Sequence, residues 1–105
     1  MRLRACAIDN LDDGEMLLVE GAPEPIALYR VEGAYYATSD ACTHGQSSLS
    51  EEGELKGHII ECGWHFGCFD VRTGAATALP CNKPLRTYSI VVEGNNVLVE
   101  TDATG

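Results

Sequence analysis

The sequence predicts an all-β fold, and three observations favour it. Short runs rich in β-branched and aromatic residues recur along the chain. Residues that favour turns, mainly glycine, proline and asparagine, separate these runs. Apolar residues nowhere keep a helical i, i+3, i+4, i+7 spacing for three turns, so any helix is short. With 105 residues, of which 45% are hydrophobic and 22% charged, the chain is expected to form a single domain.

Each predicted strand is a short apolar or β-branched run bounded by a turn. The runs cover residues 16–20, 26–31, 34–38, 58–61, 66–71, 87–92 and 96–100. The turn signals fall at 21–25, 32–33, 52–53, 73–74 and 93–96. Short turns between neighbouring runs favour antiparallel hairpins. Residues 47–54 predict a single helical turn and no longer helix.

The charge of the chain restricts its partners. Sixteen acidic residues outnumber seven lysines and arginines, which gives a formal net charge of -9. This charge repels a phosphate backbone or an anionic membrane, so we expect neither as a partner, whereas a basic protein surface would be attracted. The first ten residues lack the apolar run of a signal peptide, and no run approaches the roughly 20 residues of a membrane-spanning helix. These features predict a soluble, cytoplasmic protein.

Residues 40–82 contain four of the five cysteines and all three histidines. A C-x-H motif at Cys42 and His44 and a C-x-x-H motif at Cys62 and His65 each pair one thiolate with one imidazole. Four such ligands on two loops can hold one tetrahedral metal or two irons bridged by sulfide. Zinc modules usually place like ligands on each arm, whereas both arms here are mixed. The mixed arms favour a bridged pair of irons, with both cysteines on one iron and both histidines on the other.

These motifs resemble the ligand pattern of the Rieske-type iron-sulfur proteins. The resemblance continues into the flanking sequences DACTHG (40–45), IECGWHFG (60–67), FDVRTG (69–74) and ALP (78–80). The chain looks most like the small ferredoxins of bacterial aromatic-ring-hydroxylating dioxygenases. The resemblance implies the Rieske fold, in which an antiparallel β base, here residues 1–39 and 83–105, carries a small cluster-binding subdomain, here residues 40–82. Two loops of that subdomain hold the ligands, and a third loop, matching residues 79–81, closes over the cluster.

The same resemblance implies the cofactor and its ligands. One [2Fe-2S] cluster is expected, with Cys42 and Cys62 on the buried iron and with His44 and His65 on the iron nearer solvent. High-potential Rieske domains add one cysteine to each ligand loop, and the two form a disulfide. Neither extra cysteine is present, so a potential near the low end of the Rieske range is expected.

The other cysteines and the third histidine have structural interpretations. Cys6, Cys68 and Cys81 are expected to be small buried core residues, and a disulfide between Cys68 and Cys81 stays open. His58 is expected to be a polar strand residue. The acidic stretch 51–54, between the two ligand loops, is expected to be a solvated loop, although a docking role also stays open.

The resemblance implies a function in electron transfer. An NADH-dependent flavin ferredoxin reductase would supply one electron, and the terminal oxygenase of an aromatic-ring-hydroxylating dioxygenase would receive it. All four protein ligand positions of the cluster are filled, so substrate has no open site on iron, and no catalytic residue is expected. One alternative is a small Rieske-type component of another redox enzyme, such as a nitrite reductase. Another is a zinc-stapled β interaction module. A small shuttle of this kind is expected to be a monomer.

Overall fold

The computed structural model of the chain describes residues 2–19, 21, 24–41, 48–62, 67–78 and 84–101. Within these ranges, strands account for most of the secondary structure. The strands are β1 (Arg2–Ala7), β2 (Met16–Val19), β3 (Ile26–Val31), β4 (Ala34–Ser39), β5 (Glu54–Lys56), β6 (Ile59–Glu61), β7 (Cys68–Asp70), β8 (Ala76–Ala78), β9 (Thr87–Tyr88), β10 (Ile90–Glu93) and β11 (Asn96–Glu100). The helix α1 (Leu49–Glu52) has four residues, and a 3-10 turn (Ile8–Asn10) follows β1. In the part of the chain described, no helix is long and apolar enough to cross a membrane.

The strands form three antiparallel sheets, which confirms the predicted all-β class. The first sheet has the order β1-β11-β10, the second β2-β3-β4-β9, and the third β5-β6-β7-β8. The third sheet is built only from residues 54–78, between the two predicted ligand loops and just after them. Strand β9 returns the chain to the second sheet, where Tyr88 pairs with Ala37.

The structure differs from the predicted strands in several places. Strands β1, β5 and β8 were not predicted. The short strands β5 (ELK) and β8 (ATA) contain few β-branched residues, so their pairing with neighbours determines their conformation. The run predicted at 87–92 is divided at Ser89, and its halves β9 and β10 belong to different sheets. The run predicted at 58–61 begins one residue later, because Gly57, with φ of 59°, and His58 form the preceding turn.

Two groups of buried hydrophobic side chains form the core. The base cluster consists of Cys6, Leu11, Val19, Ile26, Leu28, Ala37, Val97 and Val99. The anchor cluster consists of Ala27, Tyr29, Leu49, Ile60, Cys62, Phe69, Val71 and Leu85. Strand β3 supplies both clusters from alternate positions, because successive side chains of a strand point to opposite faces. The two clusters therefore lie on the two faces of β3.

Two local devices shape the second sheet. Glu32 and Gly33 both have positive φ, 51° and 81°, and form the tight turn between β3 and β4 that the sequence predicts. The Arg30 guanidinium donates hydrogen bonds to the carbonyl oxygens of Ile8 and Leu11, at 3.3 Å and 2.7 Å. These bonds fasten the 3-10 turn after β1 to strand β3.

Candidate metal centre

The residues on either side of the first predicted ligand loop, 42–47, pair with each other. Ala41, before the loop, and Ser48, after it, form an antiparallel β-bridge. The carboxylate of Asp40, which is 3% exposed, accepts hydrogen bonds from the Ser48 hydroxyl and from the Ser50 backbone N–H. Both the backbone and a buried side chain therefore close the base of this loop.

The second ligand loop contains residues 63–66 and is closed in a similar way. The backbone N–H of Cys62 donates to the carbonyl oxygen of Gly67 across the loop, at 2.7 Å. Strands β6 and β7 continue this pairing from Glu61 and Cys68 onward, so the residues on either side of the loop are paired as an antiparallel ladder. The Cys62 side chain is fully buried in the anchor cluster.

A close backbone contact holds the chain where it leaves the third loop. The N–H of Leu85 donates to the carbonyl oxygen of Gly74 at 2.7 Å. Gly74 has φ of 79°, and a Cβ added to it would come well inside 3.0 Å of the Leu85 carbonyl oxygen, closer than real Cβ atoms come. Position 74 therefore requires a residue that tolerates positive φ and has no Cβ, and glycine is the residue that does both.

The same cluster of side chains anchors all three loops. Leu49 follows the first loop, Cys62 precedes the second, and Leu85 follows the third; each is buried in the anchor cluster. The backbone at Gly53 brings α1 directly onto the end of β6. A Cβ added there would lie 2.6 Å from the Leu49 carbonyl oxygen and 2.9 Å from that of Glu61. The fold thus brings the residues that flank the two ligand loops and the third loop, Leu49, Cys62 and Leu85, into one cluster.

Of the four predicted ligands, the structure describes Cys62. Cys42, His44 and His65 lie outside the described residues. Among the residues that are described, no three cysteine, histidine or carboxylate side chains form a metal-binding group. The position of Cys62 fits an iron-sulfur cluster, since a thiolate ligand needs burial away from water and a cluster needs several loops fixed around it.

The other described cysteines, Cys6 and Cys68, differ in how deeply they are buried. Cys6 is buried, as predicted, and its burial raises the pKa of its thiol. Cys68 is half-buried on β7, so the prediction of a core position was wrong for this residue. Burial raises the pKa of the Cys68 thiol, and the Glu61 carboxylate raises it further. Cys81 lies outside the described residues, and a disulfide with Cys68 stays an open alternative.

Two other predicted elements are corrected. His58 lies in the turn before β6 and not on a strand, because Gly57 turns the chain there. Its ring stands edge-on to Tyr36, with the ring centroids 5.7 Å apart. The acidic stretch 51–54 belongs to α1 and β5 instead of a loop, although Glu51 and Glu52 are exposed as expected.

Sequence reasoning assigned no role to Asp40 and predicted Gly53 and Gly74 only as turn residues. A signal was present for the first, since Ser48 and Glu51 form an S-x-x-E capping pattern, in which the Ser48 hydroxyl accepts from the Glu51 N–H. A helix start immediately after the first motif indicates that the loop closes there. The close approaches at the two glycines have no such signal, because they depend on chain segments that meet through the fold.

Residues 1–89 match the sequence model of the Rieske [2Fe-2S] domain. The chain belongs to the Rieske family. This Rieske chain is 48% identical over 99 residues to the ferredoxin component of the p-cumate 2,3-dioxygenase system of Pseudomonas putida, which covers 93% of this chain and 84% of the relative. It superimposes with a TM-score of 0.92 on the ferredoxin of carbazole 1,9a-dioxygenase from Nocardioides aromaticivorans IC177, at 36% identity over 97% of this chain and 99% of that one. It also matches a chain in the complex of reduced oxygenase and oxidised ferredoxin of carbazole 1,9a-dioxygenase, with a TM-score of 0.91 and 40% identity over 95% of this chain and 93% of that one.

Membership of the Rieske family confirms the resemblance and the fold predicted from the sequence. It also identifies the cofactor of this Rieske domain as one [2Fe-2S] cluster. The interpretation as a zinc-stapled module is therefore set aside.

Proposed function

We propose that this Rieske domain carries single electrons from an NADH-dependent flavin ferredoxin reductase to the terminal oxygenase of an aromatic-ring-hydroxylating dioxygenase. One observation carries the proposal: relatives that cover more than nine-tenths of this chain are described as ferredoxin components or subunits of dioxygenases. The match to a chain from an oxygenase–ferredoxin complex supports the oxygenase as the electron acceptor. The resemblance of the sequence to such ferredoxins supports the reductase. The protein acts as a carrier within this system and not as a catalyst.

Within this proposal, Cys42 and Cys62 ligate the buried iron, and His44 and His65 ligate the iron nearer solvent. The bound cluster accepts and releases one electron at a time. The complete burial of Cys62 supports its place on the inner iron. The closed bases of both ligand loops support the two pairs, because each base fixes where a C-x-H or C-x-x-H motif begins.

The proposal also includes the organisation and setting of the chain. Residues 40–82 form the cluster-binding subdomain, and residues 1–39 and 83–105 form the base. The third sheet supports this division, because its four strands all come from residues 54–78. The protein acts as a monomer in the cytoplasm, where thiols such as that of Cys6 stay reduced.

Replacement of Cys62 tests the ligand assignment. In C62S we expect iron and acid-labile sulfide to fall close to zero, because a serine hydroxyl is a poor substitute for a thiolate ligand. C6S is the matched control, since Cys6 is also a buried cysteine but lies in the base cluster. It should keep the visible absorption of the wild type and the EPR signal of its dithionite-reduced form. Wild-type iron and sulfide content in C62S would contradict the assignment.

The excess of acidic side chains predicts how the carrier meets its partners. Glu51 and Glu52 are exposed on α1, which directly follows the first ligand loop, and the chain has a formal net charge of -9. Docking to a basic surface would be steered by these charges and screened by salt, since the Debye length falls from about 30 Å at 0.01 M to about 3 Å at 1 M. We therefore expect electron delivery to the oxygenase to slow as salt is added.

Stopped-flow reduction of the oxygenase component of the p-cumate 2,3-dioxygenase system measures this rate. The double variant E51Q/E52Q should deliver electrons more slowly at low salt and respond less to added salt. The double variant D9N/D12N removes the same charge from exposed residues that flank Leu11 of the base cluster, and it should behave like the wild type. A wild-type rate that does not change with salt would contradict charge-steered docking.

A further inference from the structure

The buried side chain of Asp40 connects the two ends of the first ligand loop. One carboxylate oxygen accepts the Ser48 hydroxyl, and the other accepts the Ser50 N–H at 2.8 Å. The Asp40 carbonyl oxygen accepts the Leu49 N–H at 2.8 Å, and its own N–H donates to the carbonyl oxygen of Pro25 at 2.9 Å. This residue is thereby fixed to the chain just before β3 and to the first turn of α1.

We propose that Asp40 is a positioning residue that holds the first ligand loop in its cluster-binding form. The inference rests on the proposed function, because the loop carries Cys42 and His44, which are assigned as ligands there. Asp40 stands two residues before Cys42 in the sequence. It acts on the cluster through the loop, and it is not itself a ligand.

The surroundings of Asp40 make its hydrogen bonds persistent. The residue is 3% exposed, so water competes little for its carboxylate. Nearby in β3, the Tyr29 hydroxyl is paired with the Thr38 hydroxyl at 2.7 Å, and both residues are fully buried. Burial raises the pKa of Tyr29, and the negative charge of Asp40 raises it further.

These hydrogen bonds lower the conformational entropy that the loop loses when it binds the cluster. Residues 42–47 are six residues with both ends held, so their backbone has fewer conformations to lose when two ligands engage. Without the carboxylate, the β-bridge between Ala41 and Ser48 would still close the loop, but the first turn of α1 would no longer be tied to it. The fold would remain, and the ligands would leave the cluster more often.

Four variants separate these contributions. D40A removes both side-chain hydrogen bonds to Asp40. Of these two bonds S48A removes only the one from Ser48, together with the cap that the Ser48 hydroxyl provides for the Glu51 N–H. S50A leaves the backbone donor to Asp40 intact and removes a 3.2 Å contact between the hydroxyls of Ser48 and Ser50. D13A is the remote control: Asp13 also holds a backbone N–H, that of Gly33 at 2.9 Å, and pairs with an arginine, but it lies before β2.

The measurement is the rate at which cluster-loaded protein loses its visible absorption to an excess of an iron chelator, far below the thermal midpoint. Loss of one to two net hydrogen bonds predicts about tenfold faster cluster loss in D40A, the factor that corresponds to about 1.4 kcal/mol. S48A should lie between D40A and the wild type. S50A and D13A should match the wild type. Circular dichroism follows the fold, and EPR of the reduced protein follows ligand geometry, which should change in D40A and S48A but not in D13A.

Each outcome decides the inference. Faster loss and an altered EPR signal in D40A, with the fold retained, support it. A wild-type rate in D40A overturns it, and so does an equal acceleration in D13A, which would reflect general stability. If D40A does not fold, S48A decides in the same way. Wild-type protein without a [2Fe-2S] cluster would instead overturn the proposed function, so the two failures are distinct.

Discussion

Replacement of Gly74 by alanine tests how the fold holds the segment after the third loop. Gly74 has φ of 79°, where an L-residue is strained. An added Cβ would collide with the carbonyl oxygen of Leu85 and would lie 3.1 Å from both the Leu85 carbonyl carbon and the Thr87 methyl group. Because the main obstacle is backbone, the Leu85 segment must shift by about 1 Å to reach an ordinary contact distance.

The magnitude follows from three contributions. Positive φ at alanine costs about 1 kcal/mol. The shift breaks the 2.7 Å hydrogen bond from the Leu85 N–H to Gly74, and a buried unsatisfied donor costs about 1–3 kcal/mol. Leu85 is 4% exposed, and its partial withdrawal from the anchor cluster costs about 1 kcal/mol. The total of about 3–5 kcal/mol is a large share of the roughly 5–15 kcal/mol that stabilises a domain of this size.

Gly33 offers a control with the same backbone conformation. Its φ is 81°, and no atom lies within 4 Å of an added Cβ, so G33A experiences the backbone strain without the collision. Thermal midpoints of cluster-loaded protein at one scan rate compare the variants. G33A should lower the midpoint by about 4–8 °C and G74A by at least about 12 °C, at about 4–8 °C per kcal/mol. Equal decreases in the two variants would refute the inferred contact between Gly74 and Leu85.

Two further predictions concern titration and the buried hydroxyl pair. Hydrogen bonds from Arg72 hold the pKa of the Asp70 carboxyl below its ordinary value of 3.8. The free energy that this pair contributes to folding is therefore fully present above pH 3.8, and it is lost as the pH falls through the lower pKa of the folded state. The difference in thermal midpoint between the wild type and D70N should therefore shrink as pH is lowered from about 5 to about 3; a constant difference would contradict the pairing. Y29F removes one partner from the fully buried Thr38 hydroxyl and should cost about 1 kcal/mol. Its thermal midpoint should fall by about 4–8 °C, and an unchanged midpoint would show that this hydrogen bond does not stabilise the fold.

The sequence could predict features that depend on neighbouring residues. The turn at Glu32 and Gly33 is an example, because glycine at positive φ between two β-branched or aromatic runs favours a hairpin. Strands β3, β4 and β11 are others, since each is a clear run of this type. Each of the C-x-H and C-x-x-H motifs likewise contains its ligand residues within three or four neighbouring positions. The ligand types and the cofactor class could therefore be inferred before the fold was known.

Features that join distant parts of the chain could not be predicted. Strand β1 forms by pairing with β11, where Arg2 lies opposite Glu100 at the other end of the chain. The division at Ser89 depends on long-range pairing, because β9 pairs in the second sheet and β10 pairs in the first. The turn glycine Gly74 was recognised, but its contact with Leu85 depends on how the chain returns after the third loop. In each case the decisive partner is remote in sequence.

An electron carrier requires that its metal ligands stay in place while the charge of the cluster changes, because a preformed site needs little rearrangement at the moment of transfer. The described residues meet this requirement mainly with backbone contacts. Ala41 bridges to Ser48, Gly74 contacts Leu85, and Gly53 lets α1 pack on β6. Such contacts depend little on the side chains inside the loops. The surface that meets reductase and oxygenase can therefore vary while the ends of the ligand loops stay fixed, and substitutions at these anchoring positions should affect cluster retention before they affect partner choice.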